Sequence, residues 1–210
     1  PDSVLIYPEW NVNGICQEPG IERTTQVTTL AQVLKENGYH TIHCGKAHFG
    51  AIDTPGEDPL RMGFEVNIAG HAAGSPASYY GKENFGNKTD RKNPPAAVPG
   101  LEKYHGTDTF LSEALTLEAE KALDDAQKSD KPFFLYMAHY AVHTPIQPDM
   151  RFYQKYIDKG LPPVEAAYAT LVEGMDKSLG DLMDYLEEKN LQENTVILFM
   201  SDNGGLAAHT

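Results

Sequence analysis

The chain has 210 residues, and 17 Lys and Arg against 30 Asp and Glu give it a formal net charge of −13. This length suits one large domain, and a hydrophobic content of 40% with 11 Tyr and 8 Phe can fill a core. The acidic balance argues against a general nucleic-acid binder, although a local pocket can still bind a small anion. No apolar run approaches the roughly 18 residues of a membrane-spanning helix, so we expect neither nucleic acid nor membrane as a partner.

The ends of the sequence and its cysteines give limited information. The opening residues Pro1-Asp2-Ser3-Val4 have neither the charged nor the apolar region of a signal peptide. The last predicted strand ends shortly before Thr210, so we expect a segment of a longer protein. Cys16 and Cys44 lack C-x-x-C spacing and are predicted to be small core or loop residues, which leaves their disulfide state open.

A helix and a strand are predicted after a loop-like start. The helix spans residues 29–37, because a threonine can cap its first turn and Gly38 can end it. Its predicted apolar stripe consists of Leu30, Val33 and Leu34. The alternating residues 39–44 predict a strand, and residues 45–50 form the loop that leaves it.

The stretch 51–106 is rich in Gly, Pro, Asn and Ser and has no clear periodicity. Loops of such length are usually functional or disordered. The aromatic pair Tyr79-Tyr80 and Phe85 favour an ordered surface loop that shapes a pocket, with residues 88–92 as a solvated tip. We therefore expect residues 51–106 to be a long, loop-rich insertion in one domain.

Helices and strands alternate through the second half of the chain. Apolar residues recur at helical spacing in 108–129, and this stripe comprises Phe110, Leu111, Ala114, Leu115, Ala119, Ala122 and Leu123. A buried strand is predicted at 133–138, a short helix at 149–156 and a strand at 195–201. The longest helix is predicted at 164–189, with Ala167, Tyr168, Leu171, Val172, Met175, Leu179, Leu182 and Leu186 on one face.

This alternation predicts an α/β fold in which a mostly parallel mixed sheet is flanked by helices. Three of the predicted strands end in polar residues that can do chemistry, around Lys46, around His143 and around Asp202. Chemistry in open α/β sheets lies at the carboxyl ends of the strands. Because packing alone does not explain three such clusters, we predict a functional site at this sheet edge.

Lys46 and His48 are two residues apart, so in an extended segment their side chains face the same side. An ammonium group and an imidazole together suit an anion such as sulfate or phosphate, although both also occur as ordinary surface residues. His143 precedes Thr144-Pro145, which predicts extended backbone or a turn. An imidazole there can contact an anionic oxygen or protonate a leaving group.

Asp202 and Asn203 follow the last predicted strand and precede two glycines. Their hard oxygen atoms suit Ca²⁺, or alternatively Mg²⁺, and the same residue types also form ordinary turns. His139 is predicted to be structural, and His71 is predicted to lie outside the pocket. The remaining histidines, which carry no supporting pattern, are His40, His43, His105 and His209.

The ordered motifs resemble the type I sulfatase family of the alkaline-phosphatase superfamily. Gly45-Lys46-Ala47-His48-Phe49-Gly50 is similar to the family's G-K-x-H-x-G signature, and 132–136 leading to His143-Thr144-Pro145 is similar to its central strand and histidine. Residues 194–204 are similar to its second metal-ligand strand. The resemblance covers about residues 28–50 and 108–205, and it implies that 1–210 is an internal part of one sulfatase-like catalytic domain.

The resemblance implies an arylsulfatase-like sulfuric-ester hydrolase whose formylglycine gem-diol attacks sulfur. Lys46 would bind the sulfate and the nucleophile, and His48 would bond the gem-diol and help to release sulfate. His143 would contact the sulfate and protonate the leaving oxygen. Asp202 and Asn203 would complete a Ca²⁺ site. The family also suggests a sulfated small molecule or glycan as substrate and a periplasmic or extracellular location.

Several departures from the family pattern limit these expectations. Cys16 lacks the C-x-P-S-R context of the formylglycine precursor, and Cys44 does not fit it either. The first two metal-binding Asp residues and a later Lys have no candidates here, so we expect the chain alone to hydrolyse nothing. Ala47 stands where the family often has Trp, which predicts a different substrate shape.

Three alternatives remain open from the sequence. A phosphomonoester, phosphodiester or phosphonate hydrolase on the same fold would carry Thr or Ser as nucleophile, or more metal ligands. A non-catalytic homologue would use the pocket to bind a sulfated glycan. A plain globular α/β domain would carry the motifs by coincidence.

Overall fold

The computed structural model describes residues 14–15, 24–25, 27–90, 92–202 and 204. The chain divides into two compact units, Pro1–Tyr140 and Ala141–Thr210, and each is described by itself. In the first unit, β1 (Gly14–Ile15) pairs in parallel with β2 (Thr24–Thr25), within the stretch predicted as loop. Among the helices that the structure describes, none has the length and apolar character needed to cross a bilayer.

The main sheet of the first unit has the order β4-β3-β5, and both of its pairings are parallel. The central strand β3 (His40–Gly45) corresponds to the predicted strand 39–44. It pairs with β5 (Phe133–Ala138) from His40 opposite Phe133 to Gly45 opposite Ala138. On its other side lies β4 (Val66–Ile68), a strand that the sequence did not predict. The parallel sheet with flanking helices confirms the predicted α/β fold.

Burial differs between the central strand and its predicted partner. Thr41 through Cys44 of β3 are fully buried, because the strand has a neighbour on each side. In contrast, β5 is only half-buried, and Tyr136 keeps 43% of its surface exposed. The prediction that β5 is a buried strand was therefore wrong. In the described sheet β5 is an edge strand, covered less completely than a central one.

The first helix, α1 (Leu30–Glu36), begins as the sequence predicts and buries a different face. Thr29 caps it in a capping box, since its side chain accepts a hydrogen bond from the Gln32 backbone at 3.1 Å while the Gln32 side chain accepts one from Thr29. The predicted apolar stripe was wrong: Leu30 is 63% exposed, whereas Ala31 is only 2% exposed. A small residue lies here because Ala31 packs directly against Met62 and Phe64.

The second helix, α2 (Leu111–Ala126), confirms the predicted stripe. All seven predicted stripe residues are buried, namely Phe110, Leu111, Ala114, Leu115, Ala119, Ala122 and Leu123. This face packs on the sheet, where the Cys44 thiol donates to the Leu115 carbonyl at 3.3 Å. Cys44 is a buried free thiol, as predicted for a small core residue, while Cys16 lies outside the described residues.

The described residues of the stretch 51–106 contribute to the core. Tyr79 and Phe85 are completely buried, and the Tyr79 ring stacks on Phe110 with centroids 5.4 Å apart. The prediction of a surface loop was wrong for this aromatic part, because these side chains fill space beside α2. Residues 88–90 and Lys92 are exposed, as expected for a solvated tip.

The second unit contains α3 (Tyr153–Asp158) and α4 (Pro163–Glu188). Helix α3 begins four residues later than predicted, because Asp149 forms a hydrogen-bond network that precedes the helix. The buried Asp149 carboxylate accepts hydrogen bonds from the Arg151 guanidinium at 2.6 to 3.1 Å, and its backbone N–H donates to Thr170 of α4. This network fixes the entry to α3 against α4.

The predicted face of α4 is only partly buried. Ala167, Leu171, Leu182 and Leu186 are buried, whereas Val172 is 45% exposed. Tyr168, Met175 and Leu179 are intermediate. The other buried positions are Tyr185 and four small or polar residues, namely Ala166, Thr170, Gly174 and Ser178.

Residues 195–201 do not form the predicted buried strand. They have no strand assignment and no ladder partner among the described residues, and Phe199 is 78% exposed. The sequence correctly identified apolar, β-branched residues with high strand propensity. Strand formation, however, also requires a hydrogen-bonding neighbour, which the described chain does not supply here.

Candidate functional site

The loop after β3 is fixed at its first residue by the neighbouring strand. Gly45 has φ +107°, and a Cβ there would lie 1.8 Å from the Ala138 carbonyl oxygen. This close approach lets the Lys46 N–H donate to that same oxygen at 2.7 Å. Lys46 therefore leaves the sheet edge at a position defined by backbone bonding, beside the end of β5.

His43 is a residue near this loop to which the sequence assigned no role. It is fully buried in β3, and its Nε2 lies 3.2 Å from the Lys46 carbonyl oxygen. Because a carbonyl only accepts, this nitrogen carries the proton. Burial lowers the pKa of His43 to about 4, so the ring is neutral at pH 7. The signal that could have indicated this role is its position three residues before Lys46, near the end of the strand.

His48 lies in left-handed backbone with φ 55°, so the segment from Lys46 to His48 is not uniformly extended. The two-residue spacing therefore does not by itself place the side chains of Lys46 and His48 on one side. The His48 N–H donates to the His71 carbonyl at 3.1 Å. The His48 ring also lies close to Gly74, where an added Cβ would be 2.4 Å from Nδ1.

The structure places His71 beside His48, against the prediction that His71 lies away from the site. Burial, and to a smaller extent the neighbouring His48, lowers the pKa of His71 to about 4. The Ala73 N–H points to His71 Nδ1 at 3.4 Å. Sequence reasoning missed this residue because the pairing of β4 with β3, which brings it here, was not predicted.

His139 and Tyr140 follow β5 at the same sheet edge. Burial lowers the pKa of His139 to about 4, as expected for a structural histidine. The Tyr140 hydroxyl donates to the Ala69 carbonyl at 2.7 Å, and the Tyr79 hydroxyl donates to the Tyr140 carbonyl at 2.8 Å. These bonds join the end of β5 to the segment that follows β4.

His143 belongs to the second unit and lies in a bend before Thr144-Pro145, as the sequence predicts. Its Nδ1 is 3.0 Å from the Thr144 carbonyl oxygen and 3.2 Å from the Thr144 hydroxyl. A proton on Nδ1 satisfies the carbonyl. The Nε2 of a neutral ring would then be an acceptor, and only the imidazolium could donate from Nε2.

The predicted metal ligands can be tested only in part. Asp202 is exposed, and Asn203 lies outside the described residues. Over the ranges that the structure describes, no three His, Cys, Asp or Glu side chains gather in a group that could hold a metal ion. A single exposed carboxylate does not make a calcium site, so Asp202 alone does not supply one.

The structure thus brings Lys46, His43, His48 and His71 together within the first unit. His143 and Asp202 belong to the second unit. The described part of the site is an anchored lysine loop with three neighbouring histidines, at the carboxyl ends of two parallel strands.

Comparisons with known proteins show the family to which the chain belongs. The profile of the Sulfatase family matches residues 6–209. A sulfatase of Formosa agariphila is 30% identical over 222 residues, covering 87% of this chain and 40% of that protein. The uncharacterized sulfatase YdeN of Escherichia coli is 29% identical, covering 85% of this chain and 33% of its own length.

A solved structure shows the same relationship in three dimensions. The crystal structure of Ps i-CgsB in complex with k-i-k-neocarrahexaose superposes with a TM-score of 0.75 at 28% identity. The match covers 95% of this chain and 45% of that one. The chain therefore spans less than half the length of these relatives, and it belongs to the sulfatase family.

Proposed function

We propose that this chain carries part of the active site of a sulfuric-ester hydrolase that acts on a sulfated glycan or small molecule. The observation that carries this proposal is the anchored loop of Lys46 and His48 at the carboxyl end of β3. Family membership supports sulfate-ester chemistry. The oligosaccharide bound to Ps i-CgsB supports a glycan as substrate.

The proposed role of Lys46 is electrostatic. The chain carries a net charge of −13, so an anionic ester needs a local cation. Burial keeps His43, His71 and His139 neutral at pH 7, because it lowers each pKa to about 4. The Lys46 ammonium would therefore supply positive charge at this loop, and its anchored backbone would keep that charge in place before the substrate binds.

The two other site histidines have different proposed roles. His48 would hydrogen-bond the nucleophile and assist the departure of sulfate. His143 would contact the sulfate and, as an imidazolium, deliver its Nε2 proton to the ester oxygen when the S–O bond breaks. The contact of Nδ1 with the Thr144 carbonyl oxygen supports this role, because it orients the imidazole ring.

A formylglycine would supply the attacking hydroxyl in such an enzyme, and neither cysteine of this chain is a good candidate for it. Cys44 is fully buried in β3, and burial raises the pKa of its thiol well above the usual range. Cys16 lacks the sequence context and lies outside the described residues. We therefore predict that the 210-residue chain on its own does not hydrolyse an aryl sulfate.

The experiment that tests this proposal uses the protein purified from its native source. Peptide mass spectrometry would identify a formylglycine, and turnover of an aryl sulfate would be compared with that of the matching aryl phosphate. In the recombinant intact protein, Lys46→Ala is expected to lower kcat/KM for the sulfate ester by about 100-fold or more. The control Lys35→Ala, on the exposed face of α1, is expected to leave kcat/KM unchanged.

Other outcomes would contradict the proposal. Preferential turnover of the phosphate ester would indicate a phosphoester hydrolase on the same fold. Binding of a sulfated oligosaccharide without turnover would indicate a non-catalytic binding protein.

The metal and the location remain predictions. Asp202 and Asn203 are proposed as oxygen ligands of Ca²⁺, or alternatively Mg²⁺, with further ligands from other residues. Removal of metal by a chelator should abolish turnover, and added Ca²⁺ should restore it. A periplasmic or extracellular location is proposed from the family and is checked by cell fractionation.

A further inference from the structure

The five residues Gly70–Gly74 follow β4 and lie in the stretch predicted to be a loop-rich insertion. One terminal glycine contacts His43 of β3, and the other contacts His48 in the loop that follows β3. Both contacts are made at glycines, and each is possible only because the glycine has no side chain.

At the first glycine the neighbour is His43. A Cβ added to Gly70 would lie 2.5 Å from the Asn67 Oδ1 atom, and 2.6 and 2.7 Å from the Cε1 and Nδ1 atoms of the His43 ring. A side chain there would collide with the Asn67 amide and with the ring, whose Nε2 bonds the Lys46 carbonyl. Gly70 is itself fixed by Asn67, whose side chain accepts from the Gly70 N–H at 3.0 Å and donates to its carbonyl at 2.9 Å.

At the second glycine the neighbour is His48. A Cβ added to Gly74 would lie 2.4 to 2.9 Å from three atoms of the His48 ring. Between the glycines, the His71 carbonyl accepts the His48 N–H at 3.1 Å. That bond supports a non-glycine residue in left-handed backbone, a conformation that costs free energy unless its surroundings enforce it.

The segment itself is held firmly. Ala72 and Ala73 are buried, and the carbonyl of the preceding Ala69 accepts the Tyr140 hydroxyl from the end of β5. Contacts with the segment thus constrain the imidazoles of His43 and His48, and the residue before the segment is bonded to Tyr140, just after β5.

We propose that Gly70–Gly74 is a positioning element of the active site, which sets the His48 ring directly and the Lys46 loop through His43. The proposal rests on the proposed function only in that His48 and Lys46 act on the substrate. It makes part of the 51–106 stretch a component of the reaction site.

The first test requires no activity. In the histidine-labelled chain, Gly74→Ala is expected to shift the imidazole signals of His48, which are identified by their loss in His48→Ala. The control Gly180→Ala, where an added Cβ meets nothing within 4 Å, should leave those signals in place. His48 signals that do not move in Gly74→Ala would overturn the proposal.

A double-mutant cycle separates a local collision from a general loss of folding. Gly74→Ala should lower the urea midpoint of the otherwise unchanged chain. In the His48→Ala background it should lower the midpoint much less, because the colliding ring is gone. An equal loss in both backgrounds would show that Gly74 does not act through His48.

The last test measures kinetics in the intact protein. Gly74→Ala is expected to lower kcat by about tenfold or more, while KM for an aryl sulfate stays within about twofold. Normal kcat in the variant would overturn the positioning role of Gly74 and would leave the proposed function standing. If the unaltered protein turns over no sulfate ester, the proposed function fails, and the imidazole shifts and the urea cycle still decide whether the segment positions His48.

Discussion

The strand β3 and the segment 195–201 show opposite relations between composition and burial. The more polar of the two, His-Thr-Ile-His-Cys-Gly, is buried at the centre of the sheet, while Val196 through Met200 are exposed despite being apolar. Each stretch was predicted as a strand. What separates them is pairing, because β3 has a parallel neighbour on both sides and 195–201 has none in the described chain. Burial of a strand is decided by its neighbours as much as by its own side chains.

The largest expected effect on stability comes from adding a side chain at Gly45, where the backbones of β3 and β5 approach closely. Gly45→Ala should lower the free energy of unfolding by about 4 kcal/mol, since the new Cβ collides with the Ala138 oxygen and φ is +107°. Gly106→Ala is the matched control, with φ +76° and nothing within 4 Å, and should cost only about 1 kcal/mol. Both are measured by urea unfolding, and equal losses would show that the close approach does not matter.

The same substitution in both stretches tests the comparison directly. Ile42→Ala in β3 should cost about 3 kcal/mol of unfolding free energy, because it removes methylene groups from a fully buried site. Ile197→Ala should cost less than about 0.5 kcal/mol, since that side chain is about half exposed and outside any sheet. Similar losses at both positions in urea unfolding would contradict the structure of 195–201.

The neutral histidine in β3 predicts a dependence of stability on pH. His43 has a folded pKa of about 4 against an ordinary value of 6.5, so the unfolded state binds more protons between these values. Stability should therefore fall as the pH falls through this window, by about 2 kcal/mol between pH 7 and pH 5 from this residue.

His43→Gln removes this titration and should flatten the pH profile of urea unfolding relative to the unaltered chain. Other buried histidines, including His71 and His139, contribute slopes of the same sign, so the difference between the two profiles is the relevant quantity. An unchanged slope in the variant would mean that His43 is not held neutral.

The smallest effect on folding is expected from a substitution in 195–201. There the exposed apolar residues are expected to promote association between molecules. Phe199→Lys should change the free energy of unfolding by less than about 0.5 kcal/mol, because the ring is exposed. An uncovered row of apolar side chains favours contacts between molecules. Sedimentation velocity should therefore show self-association of the unaltered chain at high concentration and less of it in the variant. A compact monomer in both would contradict this prediction.

Local patterns sufficed for α2 and for the capped start of α1, because the spacing of apolar residues and the capping box are short-range features. The Lys46 loop was likewise found from its sequence, since it follows a strand directly. The face that α1 buries was not, because a small alanine fits against Met62 and Phe64 where larger residues do not.

Long-range pairing set the limit of what the sequence could predict. The three-residue β4 carries no periodic signal of its own, and without it neither Gly70 nor His71 could be placed beside the site. The prediction of a strand at 195–201 was wrong for a related reason: the segment has high strand propensity but no neighbouring strand in the described chain. Whether Asp202 and Asn203 bind a metal is a question of ligands from elsewhere, which no local pattern supplies.

The Cys44 thiol makes the β3–α2 contact open to kinetic measurement. It is fully buried, its pKa is raised by burial, and its proton is donated to the Leu115 carbonyl. A thiol reagent can modify it only when strand and helix separate, so the rate of modification counts opening events. With Cys16 replaced by serine, a single alkylation time course would report how often the sheet behind the Lys46 loop is exposed under native conditions.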